Sequence, residues 1–283
     1  MRRLVAAQFP RWAGLPVAPV PRQGNDNRTF RLGEDLAVRL PSHERYVAGI
    51  AKEDAVLPLL AAHVTVPLPA PVATGRPTAE FPYPWSVRRW LPGETADRDP
   101  DLDRMRLARD VGAFLRELRS VPAANGPPAG AHSFLRGCPP TAYAGEVEQA
   151  LRDLAGRVDA ARCDAIWRRA SASTWAGAPV WFHGDVAVGN LLTSGGRLAA
   201  VIDFGTCGVG DPACDLVLAW TFFDRDEREA FRDAVGLPDD AWSRGRGWAL
   251  WKALITLADR DDAHPGAPGR ALAELLAERP NRS

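Results

Sequence analysis

The stretch Trp181-Phe182-His183-Gly184-Asp185-Val186-Ala187-Val188-Gly189-Asn190, followed after a short interval by Val201-Ile202-Asp203-Phe204-Gly205, decides how this chain is read. Between Asn190 and Asp203 lie two short apolar runs around Gly195-Gly196, a dipeptide suited to the positive φ angles of a tight hairpin turn. Folding there brings Asn190 back toward Asp203. An amide oxygen and a carboxylate at the open end of a hairpin suit a hard cation such as Mg²⁺, which takes few protein ligands and completes its octahedron with phosphate and water.

Asp185 stands five residues before Asn190. That is the spacing of the protein-kinase catalytic loop, where an Asp receives or orients the attacking hydroxyl, an Asn holds a metal, and a later Asp-Phe-Gly holds the metal that bridges the phosphates. Here the third element is Asp203-Phe204-Gly205. Singly, Asp185 also reads as a turn or capping carboxylate, Asn190 as the start of a strand and Asp203 as a strand end. The combination of spacing, hairpin and Phe-Gly selects the catalytic reading. With His183 at the start of the loop and Gly189 before the Asn, the pattern resembles the aminoglycoside phosphotransferase family more than the eukaryotic protein kinases.

This resemblance implies an α+β, protein-kinase-like two-lobed fold. A small β-rich nucleotide-binding lobe would span residues 1–92, and a larger, mainly helical lobe with the catalytic and acceptor sites residues 93–283. The implied reaction moves the γ-phosphoryl of ATP or GTP to a hydroxyl of a small molecule, an aminoglycoside among the candidates. Mg²⁺ would sit on Asn190 and Asp203, and Asp185 would be the catalytic base. The resemblance also implies that His183 braces the loop, whereas a lone His after two aromatics reads by itself as a hydrogen-bonded core residue. In the same way the Asp-Pro-x-x-Asp-Leu run from Asp211 to Leu216 would support the loop from beneath, making Asp211 and Asp215 structural. A helix cap with Pro212 in the first turn also accounts for Asp211.

Size and composition permit this. A chain of 283 residues exceeds the usual limit of one hydrophobic core. No secretory signal follows Met1-Arg2-Arg3, and no stretch approaches membrane-spanning length, so a soluble cytoplasmic protein is expected. Cys138, Cys163, Cys207 and Cys214 form no C-x-x-C pair and read as small apolar residues. Net charge is zero but uneven, at +4 over residues 1–95 and −5 over residues 184–283. A basic front and an acidic back suit a phosphate donor and a cationic acceptor, although solvated faces vary this much without function. No basic run is interleaved with aromatics, so nucleic acid is not an expected partner.

Only Lys52 and Lys252 are lysines. A kinase-like small lobe uses a strand Lys to hold the phosphates, paired with a Glu on the following helix. The alternating segment from Asp35 to Pro41 reads as that strand, and its cation is Arg39. A guanidinium grips phosphate bidentately where an ammonium acts as a point charge. A helix is expected from about Ser42, as cap, to Ala62. The resemblance makes its Glu53 the partner of Arg39, the alternative being an exposed Glu beside Lys52. Upstream, Gly24-Asn25-Asp26-Asn27 looks like the Gly-x-x-Asn stretch of small-molecule kinases, so Asn25 and Asn27 are nucleotide-side candidates. Trp85 to Glu94 suits a hinge whose backbone meets an adenine edge, with Arg89, Trp90 and Leu91 near the base. A plain interlobe loop is the alternative.

Beyond the hinge, Asp101–Val121 reads as an amphipathic helix and Ala142–Ala172 as a helical run. C-terminal helices are expected after Asp239-Asp240, with a Trp stripe belonging to the core. Asp224, Asp226, Glu227, Asp259, Asp261 and Asp262 are placed to meet ammonium groups of an acceptor, Asp261 and Asp262 foremost, though surface solvation explains them equally. Kinases of choline, homoserine, macrolides or sugar amines would share every catalytic residue. A metallophosphatase lacks its required second His cluster here, and a silent nucleotide-binding module remains the third alternative.

Overall fold

A computed structural model describes residues 1–21, 23, 24, 26–259 and 266–278. Helix α1 (Arg2–Gln8) leads to strands β1 (Val17–Pro19), β2 (Asn27–Leu32) and β3 (Leu36–Pro41), helix α2 (Val47–Ala61), and strands β4 (Pro71–Gly75) and β5 (Trp85–Arg89). These strands form one antiparallel sheet in the order β1-β2-β3-β5-β4. Leu4, Val5, Leu32, Val38, Leu40, Trp85 and Val87 make its small core. Burying both faces of β3 and β5 removes the simple alternation of a half-exposed strand.

Helix α2 begins later than the sequence suggests. Ser42 does not cap it, because its hydroxyl donates instead to the Asp26 carbonyl at 3.0 Å and ties the end of β3 to the preceding loop. A short 3₁₀ turn over Glu44–Tyr46 intervenes, with His43 accepting from the Arg45 N–H. Farther along α2, Val56, Leu57 and Leu60 join the core of the large lobe. The helix that carries Glu53 is therefore fixed to the helical lobe as well as lying beside the sheet.

The chain then forms β6 (Glu94–Thr95), α3 (Arg104–Ser120), α4 (Ala144–Asp153), α5 (Ala160–Ser171), β7 (Val180–Phe182), β8 (Leu191–Ser194), β9 (Arg197–Val201), β10 (Gly208–Gly210) and helices α6 (Leu218–Thr221), α7 (Arg225–Val235), α8 (Asp239–Ala258) and α9 (Gly266–Ala277). Asp103 caps α3 by accepting from the Arg106 N–H at 2.9 Å. The helical run expected over 142–172 is two helices, broken near Gly156 at φ 74°, with Asp159 capping the second. Helix α7 was not expected. Its start is marked by a capping box of Asp224 and Glu227.

The predicted metal hairpin forms as β8 and β9, with Gly195 and Gly196 at φ 58° and 73°. Strand β6 pairs with β8, and β7 pairs with β10. Trp181, Phe182, Phe204, Trp220, Phe231, Trp248 and Leu254 belong to one large core beneath them, so the Trp stripe is core as read. Among the described residues no helix is long and apolar enough to cross a membrane.

Candidate active site

The chain leaves β7 through Gly184, whose φ is 87° and where an added Cβ would lie 2.8 Å from the Thr206 carbonyl oxygen. Glycine permits both the angle and the approach. The backbone N–H groups of His183 and Gly184 donate to the buried carboxylate of Asp215 at 2.8 and 2.7 Å. Burial raises the Asp215 carboxyl above its usual range. His183 is fully buried, and its Nδ1 accepts the Asp185 N–H at 3.2 Å. That leaves Nε2 to donate to the Ile202 carbonyl at 3.0 Å. His183 thus joins the catalytic loop to the end of the hairpin. Asp211 accepts from the Ala213 N–H at 3.0 Å and from Arg244 Nε at 2.6 Å, so it is both a cap and the partner of a buried guanidinium.

At the open end of the hairpin, the Asn190 amide donates to the Asp185 carbonyl at 2.9 Å and to its Oδ2 at 3.2 Å. The Ile202 N–H donates to the Asn190 carbonyl at 2.9 Å, which closes the hairpin and brings Asn190 beside Asp203 in the chain's path. Asp185 Oδ1 faces Lys252 Nζ of α8 at 3.4 Å. Burial works against the ionised form of Asp185, but Lys252 holds its carboxyl below the usual range. Asp203 adopts the left-handed region at φ 67° and ψ 67°, sparsely populated by residues other than glycine. Its side chain stays partly exposed.

Arg39 Nη2 donates to Asp203 Oδ1 at 2.9 Å, while Nη1 donates to Glu53 at 3.0 and 3.2 Å. The expected Arg39–Glu53 pair is therefore formed, and the same guanidinium reaches the hairpin from the small lobe. Glu53 is only 1% exposed and also meets Arg88 Nη1 at 3.1 Å and the Phe204 N–H at 2.9 Å. Arg88 goes on to Asp54 at 2.9 Å. Burial alone would raise the Glu53 carboxyl, yet Arg39 and Arg88 together bring it down to about 2. Lys52, next along α2, points elsewhere: its ammonium donates to the carbonyls of His132 and Cys207 at 3.1 and 3.0 Å. Burial lowers its pKa.

The remaining candidates divide. Asn25, Asp261 and Asp262 lie outside the described residues. Asn27 is buried at the start of β2 opposite Pro41, its carboxamide oxygen without a partner among the described residues, and does not stand on an open loop. Arg89 is exposed at the end of β5, opposite Leu36. The Trp90 backbone N–H donates to the Asp35 carbonyl at 2.8 Å and its ring lies under the Arg31 guanidinium at 4.9 Å, so neither this N–H nor that ring face is open to a base. Leu91 follows it, partly exposed. Among the acidic candidates, Asp224 caps α7, and Glu227 is buried against Arg104 at 2.7 Å, so both have structural duties. Sequence reasoning missed Arg88 and Lys252 as site residues. A basic residue inside an apolar strand signals the first, and the scarcity of lysine the second.

Asn190 and Asp203 supply hard oxygen donors, and among the described residues no cluster of three or more His, Cys, Asp or Glu side chains suits a metal ion. Two protein oxygens, with phosphate oxygens and water completing the shell, fit Mg²⁺.

Residues 17–254 match the phosphotransferase enzyme family. The fold is similar to that of aminoglycoside 2′-phosphotransferase-IIIa, solved with GDP, at 21% identity, a TM-score of 0.73 and 97% coverage of both chains. It is also similar to APH(2″)-IIa in a ternary complex with streptomycin and ATP (16% identity, TM-score 0.62, covering 97% of this chain and 94% of that one). A third similar structure is the apoenzyme of macrolide 2′-phosphotransferase MphH from Brachybacterium faecium, at 22% identity, TM-score 0.63 and 95% coverage of both chains. No curated protein sequence matches the chain significantly.

Proposed function

Since the chain belongs to the phosphotransferase enzyme family and is an enzyme of that class, we propose that it moves the γ-phosphoryl group of ATP or GTP to a hydroxyl of a small molecule. The single observation that carries this reading is the pair of carboxylates on either side of one hairpin. Asp203 is held by Arg39 at 2.9 Å, and Asp185 by Asn190 at 3.2 Å and Lys252 at 3.4 Å. One sits toward the donor and the other toward the acceptor.

In this reading Arg39 neutralises donor phosphates, and Glu53, itself fixed by Arg88, sets its direction. Asn190 and Asp203 would hold Mg²⁺, which when bound offsets charge on the phosphate oxygens. Asp185 receives the proton of the acceptor hydroxyl as its oxygen bonds to the γ-phosphorus and the bond to the β-phosphate oxygen breaks, releasing the nucleoside diphosphate. Its carboxyl, held below the usual range by Lys252, is ionised at neutral pH and orients the hydroxyl. His183 and Asp215 hold the loop so that orientation, the main source of acceleration in phosphoryl transfer, is set before substrate arrives. The similar structures carry aminoglycoside or macrolide names, which supports a small antibiotic-like alcohol as acceptor. A phosphate-transfer screen with ATP and GTP across amino sugars, macrolides and neutral polyols tests the reading. Transfer that persists in Asp185→Ala and Asp203→Ala would sink it.

A further inference from the structure

Among the described residues, the side chain that meets the free oxygen of Asp185 is a cation. Lys252 Nζ stands 3.4 Å from Asp185 Oδ1, the oxygen not engaged by Asn190, with both side chains about two-fifths exposed. The preceding residue along α8, Trp251, is buried, stacks on Tyr143 at 4.3 Å and carries the Arg136 guanidinium at 4.4 Å from its ring centroid. Arg136 also donates to the Tyr143 hydroxyl at 3.1 Å, and its field reaches Asp185. Glu146, on the same wall, accepts the Trp251 indole N–H at 2.8 Å. Phe134, 47% exposed, continues this surface through its carbonyl, which accepts from Arg136. Beside the proposed catalytic carboxylate stands the Lys252 ammonium, on a helix whose neighbouring Trp251 is held in the core by Tyr143, Arg136 and Glu146.

We propose that Lys252 determines acceptor specificity: its ammonium occupies the place beside Asp185 that an amino-sugar acceptor would fill with its own nitrogen. The alcohol phosphorylated by this enzyme therefore carries no ammonium group next to its reacting hydroxyl. The inference rests on the proposed role of Asp185. A substrate ammonium arriving at the same oxygen would meet a like charge in a partly screened setting, where such repulsion selects against the wrong ligand.

The test uses kanamycin as an amine-bearing probe and maltotriose as a neutral sugar of similar size, with ATP and GTP as donors. Turnover is compared in the wild type, Lys252→Gln, Lys252→Met and Lys252→Arg at fixed ionic strength, after thermal melting has shown which variants fold. Removing the ammonium should lower the kanamycin KM by about threefold, the scale of one relieved like-charge contact at a half-exposed site, and should leave the maltotriose KM unimproved. Lys252→Arg, which keeps the charge, should stay near the wild type toward kanamycin. A structural role alone would move both probes together. A kanamycin KM that is unchanged or raised in the neutral variants, no response to kanamycin in any form, a gain shared by maltotriose, or a wild type that prefers kanamycin overturns the inference. A wild type that neither hydrolyses nor transfers nucleotide phosphate instead strikes the proposed function.

Discussion

Two groups of charges flank the hairpin of β8 and β9, and they are built differently. On the sheet side, Glu53 and Arg88 are each 1% exposed and Arg39 is 11% exposed, joined into a continuous chain from Asp54 to Asp203. On the helical side, Asp185 and Lys252 form a single contact at 3.4 Å, about two-fifths open to water. Buried ions must each have a partner, because the penalty of desolvation is offset only by pairing. Half-exposed ions keep water as an alternative partner. The first group is therefore a fixed frame for a phosphate-binding guanidinium, and the second can exchange partners when an acceptor enters.

The largest effect should separate the two carboxylates. Asp185→Ala is expected to lower kcat by about 10²–10⁴, the range for loss of a positioned acid or base, with nucleotide affinity nearly kept. Asp203→Ala should abolish transfer and weaken Mg²⁺-dependent nucleotide binding as well. Titrating nucleotide into both variants checks this, and equal losses of affinity would erase the distinction between donor and acceptor sides.

Glu53→Gln comes next. Removing one charge from beneath two buried guanidinium groups should cost about 3 kcal/mol in stability, measured by denaturant unfolding. The pH dependence has a definite sign. With its pKa lowered from 4.5 to about 2 in the folded state, Glu53 stabilises the protein fully above about pH 4.5 and loses that contribution as pH falls toward 2. Glu53→Gln should flatten the acid limb of the stability profile over that interval. An unchanged profile would mean that the frame is not built around Glu53.

Smaller again is the effect at Arg39. Arg39→Ala should raise the nucleotide KM by about tenfold, as for the loss of a charge-assisted contact to phosphate. Arg39→Lys should fall between Ala and the wild type, because it keeps the charge and loses the fork that spans Glu53 and Asp203. Steady-state kinetics with varied nucleotide would show it, and an unmoved KM in Arg39→Ala would remove the residue from the site. Least of all should be the stability change in Lys252→Gln, below about 1 kcal/mol for an exposed pair. A melting shift as large as that of Glu53→Gln would show the acceptor side to be as rigid as the frame.

The comparison also explains what could be read in advance. The catalytic loop and hairpin were legible because their requirements are local: Asp185 and Asn190 lie five residues apart, and the Gly195-Gly196 turn returns the chain to Asp203. Pairing of Arg39 with Glu53 was expected from resemblance, and the strand and helix around them form as separate, recognisable elements. Arg88 is not legible in the sequence because the three residues before it in β5 are all buried and give no alternation to reveal which face it joins. Helix α2 starts later than its sequence suggests because Ser42, a good cap by type, donates to the Asp26 carbonyl across the loop. Asp224 and Glu227 read in the sequence as acceptor contacts because a capping box and an ammonium-binding pair look alike in composition.

By itself, then, the sequence determined the family-like order of elements, the loop with its carboxylates, and the substitution of Arg39 for a lysine, since each depends on residue type at short spacing. The tertiary structure decided which charges meet. Arg39 bridges 164 positions to Asp203, and Lys252 reaches back 67 positions to Asp185. Such contacts follow from how α2 and α8 pack on the hairpin, and electrostatic energy depends on distance and burial, neither of which is written in the spacing of residues along a chain.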